Sequence, residues 1–417
     1  MPITRREFIK KSAATVTVGA LMPRLWLTEG RAQSSTRRIF VVAQCNGGND
    51  GLNTVIPFTN SRYHALRPTL AFKQNQLDGT AGRSTIISND LALHPSLRNI
   101  KDLYDAGRVA VIQGVGYPDP NQSHFTSMDI WHTANVKDGR GKGWLGKYAD
   151  IAFGDSEGLN ALSATFSLPK SLTSNRAVIP SIPQQRFATY DIGVDPLFPL
   201  ERERRVNLLL ANQNRNFPGH EFLNTIAKNG FGAIEKVAKI KNARDSYTSS
   251  IIYPDANPFA QGLKVLAQIA TTATESVLLY ASFGDFDNHA RQADTHAEML
   301  GQFSEGIKLF YDDMTAHGLA DNVVIMQWSE FGRRPFENGS RGTDHGAASM
   351  MFLIGNPIQG GIYGEHPSLA EEDISDEGNL KHTVDFRSVY ATLLDRWMGV
   401  DSTEILGSQF ENIGFLG

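Results

Sequence analysis

Acidic and imidazole side chains gather at four places in this 417-residue chain, each beside a short run of β-branched and aliphatic residues. Asn49 and Asp50 follow Ile39-Phe40-Val41-Val42; Asp285, Asp287 and His289 follow Val277-Leu278-Leu279-Tyr280. Ser329, Glu330, Arg333 and Arg334 follow Val323-Val324-Ile325-Met326, and Asp344 and His345 precede Met351-Phe352-Leu353-Ile354. Carboxylates and imidazoles ligate divalent cations such as Zn²⁺, Mn²⁺, Mg²⁺ or Ca²⁺. Loops of this composition, converging, could hold one or two ions. Singly, each cluster has a mundane reading. Gly47-Gly48-Asn49-Asp50-Gly51 is good turn chemistry, Asp285-x-x-x-His289 suits an aspartate capping a helix, and Asp344-His345-Gly346 suits a hydrogen-bonded turn. The specificity lies in the set, because open α/β sheets place ligands in the crevice beyond the carboxyl ends of their strands.

Two further residue groups bear on the chemistry. Ser123 stands where a helix begins, which suits either an N-cap or a nucleophile whose hydroxyl is activated by a nearby ion. His124 beside it is compatible with a ligand, an acid or a structural residue. Arg333 and Arg334 could grip phosphate or sulfate oxygens through a guanidinium, or form surface salt bridges. His94 and His132 read as packed or turn histidines. Neither a Gly-x-Ser-x-Gly elbow nor a phosphate-binding P-loop occurs, which weakens serine-esterase and nucleotide-hydrolase readings.

The elements that must position these groups alternate between strand and helix. Arg37–Gln44 reads as a buried strand, Ser96–Gly107 as a helix and Val109–Gln113 as a second strand, together a βαβ unit. The pattern returns with strands near 276–280 and 323–327 around an amphipathic helix over Thr295–His317, where Met299, Phe303, Ile307, Phe310 and Met314 share a face. Met351–Gly355 makes a fifth strand, and Phe386–Trp397 a terminal helix. Residues 155–275 are less periodic, with helical stretches near Glu203–Asn212 and Pro258–Thr274, and read as an insertion. These features predict a three-layer α/β/α domain over 34–417 with a largely parallel central sheet.

Residues 1–33 read as a twin-arginine signal peptide: Thr4-Arg5-Arg6-Glu7-Phe8-Ile9-Lys10 precedes a mild apolar run from Ser12 to Leu27 that is too short to span a membrane. The expected partner is the twin-arginine translocase and the expected location is the periplasm or the exterior. Removing residues 1–32 takes six basic and two acidic side chains, leaving 34 basic against 42 acidic, a formal charge near −8. That balance argues against nucleic-acid or anionic-membrane binding. Cys45 is the only cysteine, so no internal disulfide can form.

The segments Gly47-Gly48-Asn49-Asp50-Gly51-Leu52-Asn53-Thr54, Ser123-His124-Phe125, Gly143-Trp144-Leu145-Gly146, Ser329-Glu330-Phe331-Gly332-Arg333, Gly342-Thr343-Asp344-His345-Gly346 and Asp385-Phe386-Arg387-Ser388 resemble a family of twin-arginine-exported bacterial proteins, the domain of unknown function fifteen-oh-one. That family is similar to the alkaline phosphatase and sulfatase superfamily. The resemblance implies an alkaline-phosphatase-like fold, a serine nucleophile at Ser123, metal ligands at Asp50, Asp285, His289, Glu330 and His345, and an anion contact at Arg333. Phe331 departs from the pattern, since a histidine ligand would stand there, and this puts a second metal site in question. The sulfatase maturation pattern is absent after Ser123, which favours phosphate over sulfate esters. The expected function is therefore a metal-dependent hydrolase of small anionic esters. The alternative is a non-catalytic envelope assembly or binding protein that keeps the fold.

Overall fold

Strand β1 (Ile39–Cys45) is wholly buried, and its period of two sends Ile39, Val41, Ala43 and Cys45 into one core and Phe40 and Val42 into another. A strand apolar on both faces belongs in the middle of a three-layer fold. The computed structural model describes residues 37–79, 84–154, 156–183, 217–275 and 277–417, with residues 201, 204, 207, 208 and 211 between them. The signal peptide expected over 1–33 and most of the helical stretch expected over 203–212 lie outside the described residues. Arg37–Gly417 forms one compact unit.

The other strands are β2 (Val55–Ile56), β3 (Ala92–Leu93), β4 (Val109–Gly116), β5 (Ala161–Ser163), β6 (Val277–Phe283), β7 (Val323–Trp328), β8 (Ser349–Ile354), β9 (Gly361–Tyr363) and β10 (Val384–Asp385). Among the described residues, eight of the ten strands form a mixed, mostly parallel sheet in the order β10-β4-β8-β7-β1-β6-β5, with β9 paired to β4. Only β8 runs against its neighbours β4 and β7. Its reversal matters for the site. The carboxyl ends of β1, β4, β6 and β7 share one sheet edge, and because β8 points the other way, the loop that leads into it arrives at that same edge.

Helices cover both faces. On one side lie α1 (Arg98–Asp105), α4 (Glu221–Ser246), α5 (Pro258–Thr272) and α6 (Gln292–Ala316); on the other lie α2 (His124–Thr133), α3 (Trp144–Ala152) and α7 (Phe386–Leu393). Helix α6 buries Leu300, Phe303, Ile307, Phe310 and Met314 at three- and four-residue spacing. Helix α2 is fixed by Trp131, whose ring stacks between Trp328 at 5.1 Å and Phe386 at 4.4 Å between centroids. Truncating so large a buried aromatic costs about 3–5 kcal/mol, so the amino end of α2, where Ser123 and His124 sit, has a firm mount.

Two expectations change. β1 and β4, expected as neighbours in a βαβ unit, are separated by β7 and β8, because β1 takes a central place with β6 and β7 on its flanks. Segment 155–275 contains edge strand β5, helix α5 and the long helix α4. The expected terminal helix ends its regular part at Leu393 and continues as a π-turn over Leu394–Met398, closed by left-handed Gly399.

Candidate metal centre

Three loops and the start of α2 meet at the shared sheet edge. Gly47 and Gly48 let them approach: both have left-handed φ values of 105° and 75°, and a Cβ would lie 2.6 Å from the Asp287 backbone at Gly47 and 2.3 Å from the Phe331 ring at Gly48. Any side chain there would push the β6 and β7 loops off the β1 loop.

The ligand atoms of His124, Asp287 and His345 lie within 4.8 Å of one another, the one such group among the described residues. His289 adjoins it, with Nε2 2.9 Å from Asp287 Oδ1 and 3.0 Å from His345 Nε2. His345 Nε2 is itself 2.9 Å from the same oxygen, and His124 Nε2 is 3.5 Å from Asp287 Oδ2. The other nitrogen of each ring faces an acceptor. His124 Nδ1 is 2.8 Å from Glu330 Oε1, His289 Nδ1 is 3.0 Å from Asp344 Oδ1, and His345 Nδ1 is 2.8 Å from the Gln122 carbonyl. Each Nδ1 therefore donates, and a neutral ring turns its Nε2 lone pair toward Asp287. Three lone pairs facing one carboxylate repel one another unless protons or a cation lie among them. Metal-binding histidines are held in this way, one nitrogen anchored by a carboxylate or carbonyl and the other left for the ion.

Charges around the cluster are fixed from behind. Desolvation alone would raise the Asp287 carboxyl, but the hydrogen bond from Arg333 and the Arg333 charge hold it well below the usual carboxylate range. Asp344 is lowered by hydrogen bonds from Asn338 and His289. The hydrogen bond to Glu330 raises His124 above its ordinary value against the opposing effect of burial. Glu330 is buried and also accepts from the Gly47 amide at 2.8 Å. The Phe331 ring closes the floor, 4.8 Å from His124 and 4.7 Å from His345 between centroids.

Residues 113–408 match the model of a family described as protein of unknown function, DUF1501. The chain belongs to that family. No curated protein matches this DUF1501 chain. Among solved structures it is similar to the PsFucS1 sulfatase from Pseudoalteromonas sp., with 11% identity, a TM-score of 0.41 and coverage of 100% of this chain and 77% of that one. It is also similar to a protein in the alkaline phosphatase superfamily from Vibrio parahaemolyticus (8% identity, TM-score 0.40, 88% and 67% covered). A third likeness is to the alkaline phosphatase from the Antarctic bacterium TAB5 (9% identity, TM-score 0.34, 78% and 95% covered). Likenesses this loose leave the chain's own geometry as the basis for any functional reading.

The seven residues singled out in the sequence fall in different places. His345 is in the cluster, and His289 borders it. Glu330 stands behind His124 as its hydrogen-bond partner. Asp285 is exposed and outside the cluster, and Asp287 takes the place expected for it. Asp50 is also outside: it is buried against Arg67, 2.6 Å away, and accepts from Gln292 at 2.5 Å. Arg333, expected to steady a substrate anion, is itself buried, and its donors go to the carbonyls of Gly47, Gly48, Phe286 and Thr343 and to Asp287. It positions Asp287 and braces three loops. Ser123 is exposed at the N-cap of α2, yet its side chain makes no capping bond. Residues 285, 287 and 289 share parity, so periodicity could not separate Asp285 from Asp287. His124 and Asp287 stand in the polar clusters by residue type, but no spacing rule joins residues so far apart in sequence.

Proposed function

We propose that this protein is an exported metal-dependent hydrolase of phosphate or related esters. The observation that carries the reading is the convergence of three anchored imidazoles on Asp287, one of them His124, which follows Ser123 in the chain. His124, Asp287 and His345, with His289 alongside, would hold one divalent cation. That ion, when bound, would polarise an ester oxygen and favour ionisation of a nearby hydroxyl.

The chain's own residues supply the rest. Ser123 offers a hydroxyl that caps nothing and lies between Gln122, bonded to His345, and His124. The first-turn amides of α2 point out of the helix beside it, a setting suited to ester oxygens. In the proposed reaction Ser123 Oγ bonds to phosphorus as the alcohol leaves with a proton, and water then releases phosphate from the serine. Glu330 and Arg333 touch no substrate; they orient His124 and Asp287. One ion suffices here, because Phe331 occupies the neighbouring position and Asp50 is committed to Arg67. Export by the twin-arginine translocase to the periplasm or exterior is part of the proposal and is supported by the amino-terminal motif.

Metal content of the purified protein, measured by elemental mass spectrometry, tests the reading. Near-stoichiometric metal, lost in Asp287→Ala and His345→Ala, together with metal-dependent cleavage of phenyl phosphate that is abolished in Ser123→Ala, is the expected result. No metal in the wild type after loading would sink it and favour the non-catalytic envelope protein, for which the buried Phe331 is the supporting feature.

A further inference from the structure

A cleft of about 680 Å³ opens at the same sheet edge as the metal centre, and nothing in the reading above uses it. Two of its walls lead along the chain into the centre. One is Tyr117, Asp119 and Pro120, which lead through Asn121 and Gln122 to Ser123; another is Ala347 and Ala348, two residues beyond His345; the third is the segment 375–382 before β10. In the sheet order, β10, β4 and β8 carry the cleft, and β4, β8, β7, β1 and β6 carry the centre. An ester held at Ser123 would thus have the cleft as the adjoining space for its alcohol.

The lining states what that alcohol looks like. Asn379 is only 2% exposed and its Oδ1 accepts no hydrogen bond, while its amide nitrogen donates to Glu377 at 3.3 Å. A buried amide oxygen without a donor is costly, by roughly 1–3 kcal/mol, and marks a place where a donor fits. Asp119, Asp376 and Glu377 add exposed acceptors at the rim, and Lys381 adds a donor. Asp119 is held in the left-handed region at φ 51°, a conformation disfavoured for a residue with a side chain. Pro120, Ala347, Ala348 and Leu380 give an apolar strip below these polar groups. A bare aromatic ring would leave Asn379 Oδ1 without a donor. Hydroxyl groups both donate and accept, and the carbon skeleton that bears them has apolar faces.

We infer that this cleft binds the hydroxyl-rich alcohol of the ester, a sugar or polyol, with Asn379 as a specificity-determining residue. The inference rests on the hydrolase reading for its reaction but not for its binding. The test compares glucose 6-phosphate with phenyl phosphate in the metal-loaded full chain, for the wild type, Asn379→Leu and Asp119→Gly; the second variant tolerates the left-handed backbone and alters only the rim. The KM for glucose 6-phosphate should rise about tenfold in Asn379→Leu and less in Asp119→Gly, with phenyl phosphate turnover unchanged within about twofold. Saturation-transfer NMR with free glucose should show contact in the wild type that weakens in both variants. Equal effects on the two substrates, or no effect on either, would overturn the inference. So would absent glucose contact in a wild type that cleaves phenyl phosphate. If the wild type cleaves neither ester yet glucose contact is present and lost in the variants, the hydrolase reading fails and the cleft assignment stands.

Discussion

Asp50 and Asp287 belong to the loops that follow the adjacent strands β1 and β6, and each accepts a hydrogen bond from an arginine. Around Asp50 the structure is closed. Burial alone would raise its carboxyl, but the Arg67 charge and the hydrogen bonds from Arg67 and Gln292 keep it below the ordinary range. Arg67 spends its remaining donors on Asn53 and on the Pro335 and Arg334 carbonyls. The nearby histidines are neutral, since desolvation takes His94 down to about 3 and His296 to about 4. Around Asp287 the residue types are the same but the site is open, about a third exposed, and three Nε2 atoms face it. Both clusters carry a guanidinium. Only at Asp287 do three imidazole nitrogens also face the carboxylate, and these call for protons or a metal, so composition alone does not distinguish scaffold from centre.

Breaking the closed cluster should give the largest effect. Arg67→Met leaves Asp50 buried without its cation and should destabilise the chain by about 3–5 kcal/mol in urea unfolding. Asp287→Asn, at an open position, should cost the metal-free protein only about 1 kcal/mol. Similar losses for the two would erase the contrast. The metal sharpens it from the other side. A divalent cation at a hundred times its Kd should raise the unfolding free energy by about 2.7 kcal/mol. The gain should vanish in Asp287→Ala and His289→Ala and persist in Asp50→Asn. Because protons compete for His124, whose affinity for them is raised, metal affinity should fall as pH drops below neutrality.

Much of this frame is readable from sequence. Apolar runs such as Val323–Gln327 name the strands, and the spacing of Met299, Phe303, Ile307, Phe310 and Met314 names α6, in which Leu300 rather than Met299 is the buried first member of the face. The clusters after the strands name the sheet edge that carries the site. Strand order was not readable: β1 sits between β6 and β7 because of tertiary packing, and no local pattern reports which buried run is central. Nor could residue type reveal that Arg67, seventeen positions after Asp50, would fold back as its partner. Arg333 stands out in the sequence by its charge, but its role follows from four backbone carbonyls that only the folded loops assemble.

Acid titration separates the clusters by sign. His94 and His296 are neutral when folded and take up protons near pH 6.5 when unfolded, so the unfolded state binds more protons and stability falls as pH drops through 6.5. The loss should reach about 2 kcal/mol for each by pH 5 and continue toward their folded values. Asp50 and Asp287 add nothing in that window, because their contribution is lost only below the unfolded carboxylate range near pH 4. His124 in metal-free protein acts oppositely, stabilising on the acid side. Urea unfolding at pH 7 and pH 5 should thus show a net loss, and a gain would mean that the buried pair is protonated in the folded state.

The smallest effect is expected at Phe125, which follows His124 on α2 and is 87% exposed. A side chain that buries almost nothing contributes almost no hydrophobic stabilisation, so Phe125→Ala should change unfolding free energy by no more than about 0.5 kcal/mol. Metal retention should match the wild type, because the ligand atoms of His124 are set by Glu330 and the Trp131 stack, neither of which touches position 125 in this geometry. A loss above 2 kcal/mol would show Phe125 packed in solution. The mouth beside Ser123 would then be covered, and the open half of the comparison would not be open.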